Sequence, residues 1–122
     1  MLQIKALDQS FPISNQLGEE HSPAILINLF EVDAQDEEEL IKAWEGDANW
    51  MKQQPGYIST QLHRALGASR LYLNYAVWES VGHFRAAFTH PAFQSALAHY
   101  PSSAVAAPHL FRKLAVANLC TA

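Results

Sequence analysis

Residues 24–32 read AILINLFEV, and no other segment constrains the fold as much. The run is rich in Ile, Leu, Phe and Val, side chains that suit a pleated strand. Apolar residues fall on both of its faces, so it must be covered on both sides. Residues 70–78, RLYLNYAVW, form a second such strand. Leu71, Leu73, Tyr75 and Val77 share one face, and Tyr72, Asn74, Ala76 and Trp78 share the other.

The remaining elements follow from periodicity and punctuation. Asp33–Asp36 is a turn, Asp36 has N-cap chemistry, and Glu39 stands at capping-box spacing from it. The helix that follows runs to about Gln54, with Leu40 or Ile41, Trp44, Ala48 and Met51 as its apolar stripe. Pro55-Gly56 ends it. Tyr57–Arg64 alternates as a strand, and Ala65–Ser69 with Gly67 is the hairpin loop. Ser80 caps a helix carrying Val81, Phe84 and Phe88, which His90-Pro91 breaks. A short helix follows, with Pro91 in its first turn and Phe93, Leu97 and Tyr100 as its apolar positions. The Ser/Ala-rich stretch with Pro108 reads as a loop, and His109–Val116 as the last strand. Residues 1–23 are expected to be a docking arm, 24–117 the domain, and 118–122 a tail.

The order β-α-β-β-α-α-β is that of an α+β, ferredoxin-like, four-stranded antiparallel sheet with helices on one face. Helices on one face leave the other bare, and a bare apolar sheet face is costly in water. A second copy of the same face would cover it, giving a homodimeric α/β barrel. Composition agrees: 49% of residues are apolar and only 16% charged, against about 25% charged in typical domains.

Several function classes are excluded. The net charge is −4, from 8 basic and 12 acidic residues, and no basic stripe could neutralise phosphates, so no nucleic-acid partner is expected. The longest apolar run, Ala24 to Leu29, is far short of a membrane span, so no membrane role is expected. The N-terminus lacks a signal pattern and there is one cysteine, Cys120, which together indicate a cytoplasmic protein. No His-x-His or His-x-x-x-His pair suggests a metal site. The chain has neither a glycine-rich phosphate loop nor a Gly-x-Ser-x-Gly elbow.

Four segments, NLFEVDAQDEEELIKAW, QQPGYISTQLHR, LNYAVWES and AAFTHPAFQSAL, carry a likeness. Together they make the chain resemble the antibiotic biosynthesis monooxygenase family, within the dimeric α/β-barrel superfamily. The resemblance runs from about Ala24 to Val116. It implies a cofactor-free oxidation of an activated phenol, anthrone or quinol by O2, in which the ionised substrate supplies the electrons. It implies that Asn74 and Trp78, which match an Asn-x-x-x-Trp strand motif, line a cavity as the catalytic pair. An amide and an indole N–H can each donate to a substrate oxygen. Asn28, Tyr72, Phe84 and His83 are expected to bind substrate beside them. Phe84 stands where anthrone-oxidising members carry a tyrosine, and Tyr72 could replace that phenol. Haem-degrading relatives need a Trp and a His where this chain has Ala87 and Leu97, so haem is not expected.

Each candidate has a structural alternative. Asn28 and Asn74 could simply bond backbone, since a buried amide must find partners. Trp78 could be core. A base with a near-neutral pKa would suit the chemistry, and His83 or His63 is the candidate. His90 is expected to cap and His99 to sit at a helix C-terminus. The alternative function is a non-catalytic dimer that binds a small aromatic ligand, or a stress-response module with a vestigial pocket.

Overall fold

The structure, a computed structural model, describes residues 1–121. Ala122, the end of the expected tail, lies outside the described residues. Five strands form one sheet in the order β1-β5-β2-β4-β3: β1 Gln3–Ile4, β2 Ala24–Glu31, β3 Tyr57–Arg64, β4 Leu71–Trp78 and β5 Val105–Phe111. The helices are α1 Ile13–Gln16, α2 Glu37–Met51, α3 Val81–Phe88 and α4 Pro91–Ala96. The four-strand core has the expected ferredoxin-like connectivity. A fifth strand is added by the arm: β1 pairs parallel with β5 at its edge.

β2 and β4 pair along their whole length, with Asn28 opposite Asn74 and Leu29 opposite Leu73. Leu26, Asn28, Phe30, Asn74, Ala76 and Trp78 therefore share the face under the helices. Ile25, Ile27, Leu29, Leu73, Tyr75 and Val77 share the open face. Two buried clusters fill the covered side. One joins Phe30, Val32, Leu40, Tyr72, Leu97 and Tyr100 with Leu2 of the arm. The other joins Leu26, Ala76, Trp78, Val81, Phe84 and Ala87 with Leu17. On the open face Leu71, Tyr75 and Phe111 remain substantially exposed.

Two expected caps form and one does not. Ser80 accepts from the His83 N–H at 3.1 Å, and His90 Nδ1 accepts from the Ala92 N–H at 2.9 Å. Asp36 occupies the N-cap position of α2 without capping. Its carboxylate instead accepts from the Ser103 hydroxyl at 2.7 Å, so the long-range bond replaces the local one.

The last strand begins four residues earlier than expected and ends at Phe111. Ala and Pro are poor strand formers, which is why 105–108 read as loop. Close packing overrides propensity here: Ala104 and Ala106 are fully buried in one cluster with Leu2, Phe30 and Tyr100. Pro108 costs no ladder bond. The Ala106 carbonyl accepts from the Lys5 N–H on the β1 side, so the nitrogen of Pro108, two residues on, also points away from β2 and past the end of β1.

The next outward amide, Leu110 N–H, is met by a side chain. Gln16 Oε1 accepts it at 2.6 Å, while Gln16 Nε2 donates to the Phe11 carbonyl at 2.8 Å. Gln16 is 4% exposed. The segment 1–23 thus docks on its own chain, and its apolar residues Leu2 and Leu17 enter the core. Gln16→Ala should lower unfolding stability by about 1–3 kcal/mol, because it strands a half-buried N–H. Urea melts at constant m-value would show it; an unchanged midpoint would mean that water serves Leu110 equally well.

Candidate active site

A cavity lies between the sheet and the helices. Its floor is formed by Leu26, Asn28, Phe30, Thr60, Asn74, Ala76, Trp78 and Pro108, from all four long strands. Trp44, Asp47, Ala48 and Met51 of α2 form one wall, and Phe84 and Phe88 of α3 another. Tyr57, Phe93, Tyr100 and the arm residues Leu2 and Ile4 complete it. The free space is about 70 Å³. That is less than half of the roughly 150 Å³ in which a dry engineered cavity accepts benzene. A single aromatic ring enters only if side chains such as Met51 or Phe88 turn aside.

The polar groups on this floor are few. Asn74 is 9% exposed, and its Oδ1 accepts from the Thr60 hydroxyl at 2.5 Å. With the carbonyl side held by Thr60, the Nδ2 side of the amide is left to donate. Asn28 sits opposite on β2, and its Oδ1 is buried without a partner. A buried amide oxygen in that state costs free energy, so its environment is incomplete. Trp78 is 2% exposed. Its ring is held edge-on by Tyr57 (centroids 5.7 Å apart, planes at 90°) and by Phe84 (5.9 Å, 63°). Asn28, Asn74, Trp78 and Phe84 are thus brought together as expected.

Two expected residues are not. Tyr72 faces the helices, but its hydroxyl donates to Glu37 Oε1 at 2.8 Å, and Arg64 binds the same oxygen at 2.8 Å. This hydrogen bond is the main reason the Glu37 carboxyl is held below its usual range. Burial, followed by the Glu37 contact, raises the Tyr72 phenol. Tyr72 does not line the cavity, so it does not replace the phenol missing at Phe84. His83 lies outside as well: it bonds Ser80 Oγ through Nδ1 at 2.7 Å and is 41% exposed. Its ring packs where a Cβ on Gly56 would stand, 2.2 Å away, and Gly56 has φ +86°. Only glycine fits there, which explains the Pro-Gly turn. His63 is exposed on the open face, with Nδ1 3.2 Å from the Leu73 carbonyl. Among the described residues, no histidine lines the cavity.

The carboxylate that does line it, beside the phenols of Tyr57 and Tyr100, is Asp47, which the sequence reading passed over. It is 7% exposed, and its Oδ2 accepts from the Tyr100 hydroxyl at 2.6 Å. Burial pushes its carboxyl above the usual range, partly offset by the Tyr100 bond and the charge of His99. Burial and then Asp47 push the Tyr100 phenol strongly up, so it stays a donor. The signal was present in the sequence: Leu40, Trp44, Asp47 and Met51 recur at 3–4 spacing, so Asp47 occupies a core-facing position of α2.

A family model described as antibiotic biosynthesis monooxygenase matches residues 23–99. The chain belongs to the antibiotic biosynthesis monooxygenase family. Solved structures agree. A candidate monooxygenase from Shewanella loihica is 36% identical, with 81% of this chain and all of that one covered, at a TM-score of 0.67. SnoaB, a cofactor-independent oxygenase from Streptomyces nogalater, is 22% identical, with 80% and 99% covered, at a TM-score of 0.71. No curated protein matches. This family member therefore has a monooxygenase-type fold, and no helix among the described residues is long and apolar enough to cross a membrane.

The unpartnered amide gives a direct test. Asn28→Leu removes a buried polar atom with no bond to lose, so stability should rise by about 1–3 kcal/mol. A lower melting midpoint would show that Asn28 is a structural residue.

Proposed function

We propose that this protein is a cofactor-independent monooxygenase acting on a small quinol or related phenol. The observation that carries the reading is the pair of amides, Asn28 and Asn74, set side by side in the floor of a mostly apolar cavity. Asn74 Nδ2 is placed to donate to a substrate oxygen, and Trp78 and Phe84 flank the ring. An anion held by a fixed donor in a low-dielectric site is stabilised far more than in water. The ionised ring then supplies electrons to O2, and the stoichiometry closes without a reductant: quinol plus O2 gives hydroxyquinone plus water. One oxygen atom joins the ring and the other leaves as water. The small free volume favours one ring over a tricyclic anthrone. The likeness to SnoaB, a cofactor-independent oxygenase by its description, supports the class.

The test is oxygen uptake with a panel of single-ring quinols. Asn74→Ala should lower kcat by roughly 10²–10³-fold. Uptake untouched by the change would remove Asn74 from the chemistry. Ligand binding without any uptake would favour the competing reading, a non-catalytic small-aromatic binder, which the absence of a phenol at Phe84 supports.

In this reading the open face is covered by a second copy. Ile25, Ile27, Leu29, Leu73 and Val77 line it, with Tyr75 and Phe111 still 39% and 45% exposed. Ile27, opposite Tyr75 in the ladder, lies in the middle of that face. Ile27→Glu should convert a dimer to monomer in sedimentation equilibrium. A monomeric parent protein would refute the pairing. The cytoplasm remains the proposed compartment.

A further inference from the structure

The oxygenase reading needs a group that takes the substrate proton, and the expected histidines lie outside the cavity. Asp47 lies inside it. Asp47 also lines a second, open depression between α2 and α4, together with Glu39, Lys42, Gly46, Trp50 and His99. Of the titratable side chains lining the cavity, Asp47, Tyr57 and Tyr100, only Asp47 also lines this groove. A carboxylate that lines both the cavity and the adjoining groove can collect a proton on one side and release it on the other.

We propose that Asp47 is the general base of this protein and the exit for the substrate proton into the α2–α4 groove. The assignment rests on the oxygenase reading above. In the step, the substrate O–H bond breaks and its electron pair stays on the substrate oxygen, where the Asn74 amide donates. The proton bonds to the Asp47 carboxylate through Oδ1, because Oδ2 already accepts from Tyr100. Release into the groove, with His99 at its edge, restores the carboxylate. Burial suits this work: a carboxyl raised above its usual range is a better base near neutral pH than an ordinary aspartate. Tyr100 is a positioning residue, fixing one oxygen and so aiming the other.

The titratable groups that share these two hollows with Asp47 are Glu39 and Lys42 on its own helix, His99 and Tyr100 from the segment after α4, and Tyr57 of β3. Burial raises the carboxyl, and the Tyr100 hydrogen bond and His99 lower it. Removing the Tyr100 hydroxyl should therefore raise it further.

The experiment is kcat/KM against pH for the whole chain, its Asp47→Asn variant and its Tyr100→Phe variant, using single-ring quinols graded in hydroxyl acidity. The parent profile should show an acid limb. Asp47→Asn should lose that limb and fall by roughly 10²–10⁴-fold with un-ionised quinols. The deficit should vanish for quinols already ionised at the assay pH. Tyr100→Phe should move the acid limb to higher pH and, with the carboxylate no longer aimed, lower the plateau less than Asp47→Asn does. An acid limb and rate that survive Asp47→Asn overturn the assignment, as does a loss equal across all quinols, which marks a structural role. If Asp47→Asn does not fold, an unmoved limb in Tyr100→Phe overturns it. Absence of uptake by the parent protein overturns the oxygenase reading itself, and this one with it.

Discussion

The structure depends on the register between β2 and β4. With Asn28 set against Asn74, every second residue of both strands points under the helices, and the intervening apolar ones point to the open face. A slip of one residue would exchange the two faces of one strand relative to the other. The two asparagines would then part to opposite faces, and either Ile27 or Leu73 would fill the space beneath α2. The hollow, the polar pair within it and the apolar sheet surface are therefore consequences of one alignment. That alignment is fixed by the bulk of Phe30, Leu26 and Trp78, which fit only on the covered side.

Much of this was legible in the chain. Alternation marked β3 and β4 almost to the residue, and the two-sided apolar character of β2 and β4 required a covered face and a second apolar one. Ser80 and His90 announced their helices by local hydrogen bonding, which sequence carries well. What failed was whatever depended on distant partners. Asp36 looked like a cap until Ser103, from the far side of the domain, took its carboxylate. Residues 105–108 looked like loop because propensity cannot know that Ala106 is buried against Phe30 and Tyr100. Tyr72 shares a face with Asn74, yet its hydroxyl is drawn to Glu37 and Arg64. Face assignment fixes direction, but not which neighbour claims a polar tip. Asp47 was the reverse case: its place in the apolar stripe of α2 was readable, and the neighbouring Ala48 concealed it.

The cavity floor is polar where packing alone would make it apolar. Asn28 holds an oxygen without a partner, and Asp47 holds a carboxylate that burial disfavours. Both features cost stability. Their neighbours, Phe84, Phe88, Trp78 and Met51, are the side chains that would exclude water from a bound ring. The costs are concentrated at one spot inside the helix-covered layer, where site chemistry and stability commonly conflict.

The two rims of the sheet are unequal, and this limits what the molecule can build. Beside β5, the short β1, the missing amide of Pro108 and the side chain of Gln16 leave little for another strand to grip. β3 forms the opposite rim, and beyond an irregularity at Tyr57–Ser59 it runs regularly to Arg64. A ribbon that grows without end needs a receptive rim at both sides of every unit. With one rim closed, units joining strand to strand can meet only as a two-fold pair through β3, and growth halts there. The protein can thus expose a greasy sheet surface and still be poorly suited to forming fibrils.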